Sequence, residues 1–83
     1  MTDEMVRAVV QKTLVGAGAL LSLEVCRAET RMRLALGVEG AMGAIYHLAV
    51  GEELSLAIED IRRGAASAAR LYGRQYAEEM VQS

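Results

Sequence analysis

Residues 52–76 carry the strongest helical pattern in the chain, and they read EELSLAIEDIRRGAASAARLYGRQY. Apolar residues recur here at alternating steps of four and three, which places them on one face of a helix. They are Leu54, Ile58, Ile61, Ala65, Ala68 and Tyr72. Glu59 can pair with Arg62 or Arg63 one turn later, and two glutamates stand at the N-terminal end, where the helix dipole favours acids. The stretch therefore predicts a long, packed helix that begins after Gly51.

Upstream of this helix, three further segments carry helical periodicity and are separated by glycines, because the chain has no proline. Gly37 is the predicted C-cap of the second segment. Whether Gly16 to Gly18 breaks the chain stays open, since a helix tolerates glycine at a cost of about 1 kcal/mol. The predicted helices cover Thr2 or Asp3 to about Val15, Ala19 to Leu36, and Val38 to Val50.

No segment shows the alternating pattern of a strand, so residues 1–83 are predicted to form one all-α domain. We expect a small bundle of three to four helices joined by short connections that contain glycine. Local ion pairs are predicted between Glu24 and Arg27 and between Glu29 and Arg33.

The core of such a bundle is predicted to be thin. The chain has 83 residues, is 53% hydrophobic, and contains three tyrosines as its only aromatic residues. At this size, apolar burial nearly cancels the conformational entropy lost on folding. Small domains often compensate with a disulfide, a metal or a second subunit, and a lone Cys26 cannot form an internal disulfide. We therefore expect a homo-oligomer or a protein with an obligate partner.

Charge and composition exclude several classes. A formal charge of -2 and a pI near 5.3 argue against a strongly basic binder of nucleic acid or anionic membranes. The longest uncharged stretches, Thr13 to Leu23 and Gly40 to Gly51, are shorter than the roughly 20 residues of a membrane span. The acidic N-terminus does not resemble a secretory signal, so we expect a cytoplasmic protein. Abundant Ala, Gly, Val and Arg with a single Lys is typical of a high-GC bacterial or phage gene.

No residues form a catalytic or cofactor signature. Gly16-Ala17-Gly18 lacks the preceding strand and the third glycine of a dinucleotide-binding loop. His47 and Cys26 lack the paired spacing of a metal site, and adjacent Glu59 and Asp60 point about 100° apart on a helix. We therefore predict no enzyme activity, no metal and no cofactor.

Two features of the last helix indicate contact surfaces. Gly64, Ala65, Ala68 and Ala69 form a strip of small side chains that predicts close packing against another helix. On that basis, replacement of Ala68 by Leu is expected to destabilise the protein. Arginines also fall along one side of this helix at spacings of seven and four: Arg63, Arg70 and Arg74.

Residues Ser55 to Arg74 also resemble a helix in the helical domain of bacterial tRNA-modification GTPases, through Leu56-Ala-Ile-Glu-Asp-Ile-Arg62 and Arg70-Leu-Tyr-Gly-Arg74. The similarity covers about a quarter of the chain. The nucleotide-binding loop of that family and its C-terminal cysteine-containing signature are absent. The resemblance therefore implies no activity for this protein.

By elimination, the sequence predicts a small regulatory protein that binds and occludes or sequesters a partner protein through helix faces, as antiactivators, inhibitors and adaptors do. A transcriptional regulator is one possible partner. Two alternatives stay open: a helical nucleic-acid-associated regulator that uses the arginines of the last helix, and an accessory subunit of a larger complex. The predicted interaction residues are Leu54, Ile58, Ile61, Arg63, Ala65, Ala68, Arg70, Tyr72, Arg74 and Tyr76.

Overall fold

The computed structural model describes residues 2–21, 27–49 and 51–82, which form three helices. Helix α1 spans Asp3–Leu21, α2 spans Ala28–Tyr46 and α3 spans Glu52–Gln82. These ranges contain no strand, so the all-α prediction is confirmed. The predicted Glu24 pair and the role assigned to Cys26 lie outside the described residues.

Helix α1 is longer than predicted. Thr2 caps its start, because the Thr2 Oγ1 accepts a hydrogen bond from the backbone N–H of Met5 at 3.3 Å. The helix then continues through Gly16 and Gly18 to Leu21, so these glycines do not break the chain. Residues 19–21, predicted to begin the second helix, are instead the last turn of α1.

Helix α2 corrects the prediction at Gly37, which is not a C-cap. The helix passes through Gly37 and ends at Tyr46, so the predicted second and third segments are one helix. No described glycine has a positive φ, the conformation that a glycine C-cap requires. The buried face of α2 runs on from Ala35 to Met42 across this point. Its packing outweighs the roughly 1 kcal/mol that an interior glycine costs a helix.

Helices α2 and α3 form an antiparallel hairpin. Glu39 lies beside Arg62, whereas Arg31, earlier in α2, lies beside Tyr72, later in α3. The connection between the helices covers only residues 47–51. The core lies near this connection and contains the fully or nearly fully buried side chains of Val6, Met42, Leu54 and Ile58.

Helix α1 lies antiparallel to α2 but packs less closely than α2 and α3 pack on each other. Its 19 residues include a single buried one, Val6, which joins the core. The protein is elongated, with extents of 48 × 20 × 15 Å. It exposes 5802 Å², whereas a compact monomer of this mass exposes about 4,800 Å². The fold therefore leaves about 1,000 Å² more surface in water than a compact monomer would.

Candidate functional site

The structure separates the predicted interaction residues into three groups. Leu54 and Ile58 are 3% and 0% exposed and belong to the core, so they are not part of any surface. A second group lines a groove between all three helices: Ile61, Ala65, Ala68 and Tyr72. The third group lies on the opposite side of α3 and contains Arg63, Arg70 and Arg74, all exposed. Tyr76 is half-buried and falls in neither surface group.

We call the groove between the three helices, which the second group of residues lines, the three-helix groove. It has a volume of about 330 Å³. Helix α1 contributes Leu14, Ala17, Gly18 and Leu21. Helix α2 contributes Arg31, Leu34, Ala35 and Val38, and α3 adds Gly64 to the four residues named above. Arg31 is the only charged residue among them, so the walls of the groove are almost wholly apolar.

The groove accounts for the strip of small residues in α3. Within that strip, Ala69 is buried, 7% exposed, so the predicted close helix packing is present there. Ala65 and Ala68 are half-buried and line the groove. Gly64 has no atom within 4 Å of the position that a Cβ would take, so the prediction of close packing is wrong at Gly64.

Arg31 stands at one end of the three-helix groove. Its guanidinium carbon lies 5.8 Å from the ring centroid of Tyr72, within range of a cation–π contact. Its Nε is buried and has no hydrogen-bond partner among the described residues. A buried donor without an acceptor is unusual, because such a group costs about 1–3 kcal/mol. No sequence signal distinguishes Arg31 from the other arginines.

A second surface lies on the outward side of α1. Met5, Val9, Gly16 and Leu20 follow one another at spacings of four, seven and four, so they share one helix face, which we call the α1 stripe. Met5 is 55% and Leu20 49% exposed. Apart from the backbone of α1 around it, no described atom lies within 4 Å of a Cβ built on Gly16. The helical spacing of these residues could have revealed the stripe in the sequence.

A groove between α1 and α2 continues from the α1 stripe at Leu20. This α1–α2 groove has a volume of about 360 Å³. Its lining includes Gly37, where a Cβ would again meet nothing within 4 Å. The remaining lining residues are Thr13, Ala17, Thr30, Arg33, Leu34 and Val38. The stripe, which carries the exposed Lys12 between Val9 and Gly16, and this groove together form one surface of mainly apolar residues with two glycines at which another backbone can approach closely.

Ion pairs join some of the charged side chains of α2 and α3. Arg33 bonds Glu29 at 2.9 Å, as predicted. Arg62 and Arg63 both bond Glu59. The pKa of Glu59 is lowered to about 2, chiefly by the hydrogen bonds that Arg62 donates to its carboxylate. Partial desolvation of the carboxylate acts in the opposite direction, and the positive charges of Arg62 and Arg63 lower the pKa further. The same contact raises the pKa of Arg62.

Other candidate chemistry finds no site in the described ranges. His47 is exposed just beyond α2, and its ring stands edge-on to Tyr46 with 5.6 Å between centroids. Across residues 2–21, 27–49 and 51–82, no three His, Cys, Asp or Glu side chains group closely enough to hold a metal ion. Among the three helices described, none combines the length and apolar character needed to cross a bilayer.

A comparison of the chain with known protein families, curated proteins and solved structures finds no match.

Proposed function

We propose that this chain is a small non-enzymatic regulatory protein that binds a partner protein through its helix faces and occludes part of that partner's surface. The observation that supports this proposal best is the poor coverage of α1, which buries only Val6 within the protein. The whole elongated protein exposes about 1,000 Å² more than a compact monomer of its mass, and the surface of α1 is part of that excess. A standard interface takes roughly 800 Å² from each partner.

The α1 stripe and the α1–α2 groove are the proposed contact surface. A helix of the partner would lie along α1 and place its side chains in the groove beside Gly37. Gly16 and Gly37 would let the two backbones approach, and the flexible side chain of Met5 would adapt to the partner's shape. Occlusion follows from area alone, since an interface of this size excludes another protein from the same patch.

The proposal is tested by charge substitutions on α1. Val9→Glu and Leu20→Glu place a carboxylate in the stripe, whereas Val15→Glu changes an apolar residue that is 61% exposed and lies off the stripe. The tagged protein is used to capture partners from a lysate of the source organism, with identification by mass spectrometry. We expect one protein to be captured stoichiometrically by the parent and by Val15→Glu, and to be lost with the stripe variants. Equal capture by all three variants, with folding confirmed by circular dichroism, would contradict the proposal.

Self-association is tested with the same variants. If a second copy of the chain covers the stripe, light scattering should give a dimer mass for the parent and a monomer mass for Leu20→Glu. If both proteins have a monomer mass, a second copy of the chain does not cover the α1 stripe, and the proposed partner is a different protein.

The second candidate function is association with nucleic acid, and it is favoured by two exposed arginines of α3 that are available to contact phosphates. Arg70 and Arg74 are exposed and form no ion pair with a described carboxylate. Such residues contact phosphates in many complexes. Recovery of nucleic acid in the capture experiment, lost with Arg70→Gln and Arg74→Gln and at raised salt, would support this function instead.

A further inference from the structure

The three-helix groove has a polar end and an apolar end. Because α1 and α3 both run antiparallel to α2, Arg31 lies at the same end as Leu21 and Tyr72. At the other end lie Val38 and Ile61, which pack against the buried core. The three-helix groove is therefore apolar along its length and has the positive charge of Arg31 at one end.

Arg31 differs from the other arginines near the centre of the fold. Arg33, Arg62 and Arg63 each form an ion pair with a glutamate, but Arg31 has none among the described residues. Its Nε is buried and has no acceptor among the described residues, and the guanidinium lies beside Tyr72 at the groove. A carboxylate is the acceptor that a guanidinium fork fits best, and no described carboxylate pairs with Arg31.

We propose that the three-helix groove binds an aliphatic carboxylate, a free fatty acid of medium chain length, with its carboxylate on Arg31 and its alkyl chain extending toward Val38 and Ile61. This site adjoins the proposed partner surface, because Ala17, Leu34 and Val38 line both grooves, whereas Arg31 and the α3 wall line the three-helix groove and not the α1–α2 groove. The groove's volume of about 330 Å³ falls at the lower end of the 300–1,000 Å³ typical of small-ligand sites.

The length and charge of the groove select this ligand class. From Ile61 to Tyr72, α3 lines the groove over about 16 Å, at 1.5 Å per residue. This length suits an extended alkyl chain better than a compact ring system. One arginine complements one carboxylate, whereas a phosphate group recruits several positive charges or a helix N-terminus.

The test is titration of the intact protein with sodium decanoate, 1-decanol and decylamine below their aggregation concentrations. Binding is followed by methyl chemical shifts in two-dimensional NMR and by calorimetry. We expect decanoate to bind saturably and to shift the methyls of Leu14, Val38 and Ile61. Decanol should bind at least about tenfold more weakly, because it lacks the ionised acceptor, and decylamine more weakly still.

Three variants decide the role of Arg31. Arg31→Gln should reduce decanoate affinity to that of decanol, and Arg31→Lys should retain part of the difference. Arg33→Gln is the matched control, because Arg33 lies outside this groove and should leave decanoate binding unchanged. Ala68→Phe should fill the groove and abolish binding of both decanoate and decanol.

The proposal is overturned if decanoate and decanol bind equally, if Arg31→Gln leaves decanoate affinity unchanged, or if decanoate causes no saturable shift of the groove methyls. Circular dichroism and the urea midpoint of each variant confirm that a loss of binding is not a loss of folding. None of these results depends on the partner capture experiment, so the two proposals can fail separately.

Discussion

Arg62 forms a bidentate pair with Glu59, in which Nε donates a hydrogen bond to Oε2 at 2.8 Å and Nη2 donates one to Oε1 at 2.6 Å. The same guanidinium lies 4.0 Å from Glu39 of α2, so a contact within one helix also joins the two helices of the hairpin. Fork geometry of this kind is stronger than an ordinary surface pair.

The pH dependence of stability should carry the signature of Glu59. Its pKa is about 2 in the folded protein and about 4.3 in an unfolded chain. Because the folded pKa is depressed, the stabilisation is complete above about pH 4.3 and is lost as the pH falls toward about 2. Urea unfolding of the parent and of Glu59→Gln should therefore differ near neutral pH and converge at about pH 2. Asp60→Asn is the control, because Asp60 is exposed in the middle of α3 and forms no ion pair with a described residue, so its urea midpoint should equal that of the parent. A constant difference between the parent and Glu59→Gln across this range would contradict the assignment.

Gly37→Ala should stabilise the protein. A Cβ at Gly37 meets no atom within 4 Å, and α2 is continuous there. Alanine is favoured over glycine in a helix interior by about 1 kcal/mol, which corresponds to a rise in Tm of roughly 4–8 °C at this size. Thermal unfolding by circular dichroism measures the change. Gly51→Ala is the contrasting variant, because its Cβ would lie 3.1 Å from the Asp3 carboxylate and should bring no gain. A fall in Tm with Gly37→Ala would mean that the helix ends at Gly37 after all.

Neighbouring alanines of α3 should respond differently to enlargement. Ala69 is buried beside α2, so Ala69→Leu should cost about 1–3 kcal/mol through overpacking. Ala68 faces the open three-helix groove, so Ala68→Leu should change stability by less than about 0.5 kcal/mol. This replaces the expectation from the sequence that Ala68→Leu is destabilising. Urea midpoints of the two variants should therefore separate clearly, and equal losses would place both residues in the helix interface.

The small core should be sensitive to the loss of a single methyl group. Ile58 is fully buried among Val6, Met42 and Leu54, and Ile58→Val should cost about 0.5–1.5 kcal/mol. Leu56, 59% exposed, provides the control. Leu56→Ala should change stability by less than about 0.5 kcal/mol, although it removes more atoms. Chemical denaturation checks both values, and a larger loss at Leu56 than at Ile58 would show that the core is misplaced.

The features that could be predicted from the amino-acid sequence are those that depend on neighbours along the chain. The seven-residue apolar repeat identified α3, because residues three and four apart share a helix face wherever that helix lies. The pairs of Glu29 with Arg33 and of Glu59 with Arg62 followed from the same spacing. The start of α1 could be predicted at Thr2 or Asp3 because it depends only on the first turn, and the hydrogen bond to Thr2 Oγ1 decides for Thr2 as the cap.

The rotation of each helix about its axis and the extent to which other helices cover it depend on contacts between helices, which the sequence pattern does not contain. Gly37 was predicted to end a helix because its own propensity favours an end, but burial of Ala35 and Met42 against α3 carries α2 through it. The rotation of α3 places Ala69 in the interface and Ala68 in the groove, although both belong to one strip. The packing of the three helices places Arg31 at the mouth of that groove, where it forms no ion pair with a described residue. Contacts between residues far apart in the chain leave no local pattern, so the candidate sites could be recognised only after the helices were packed.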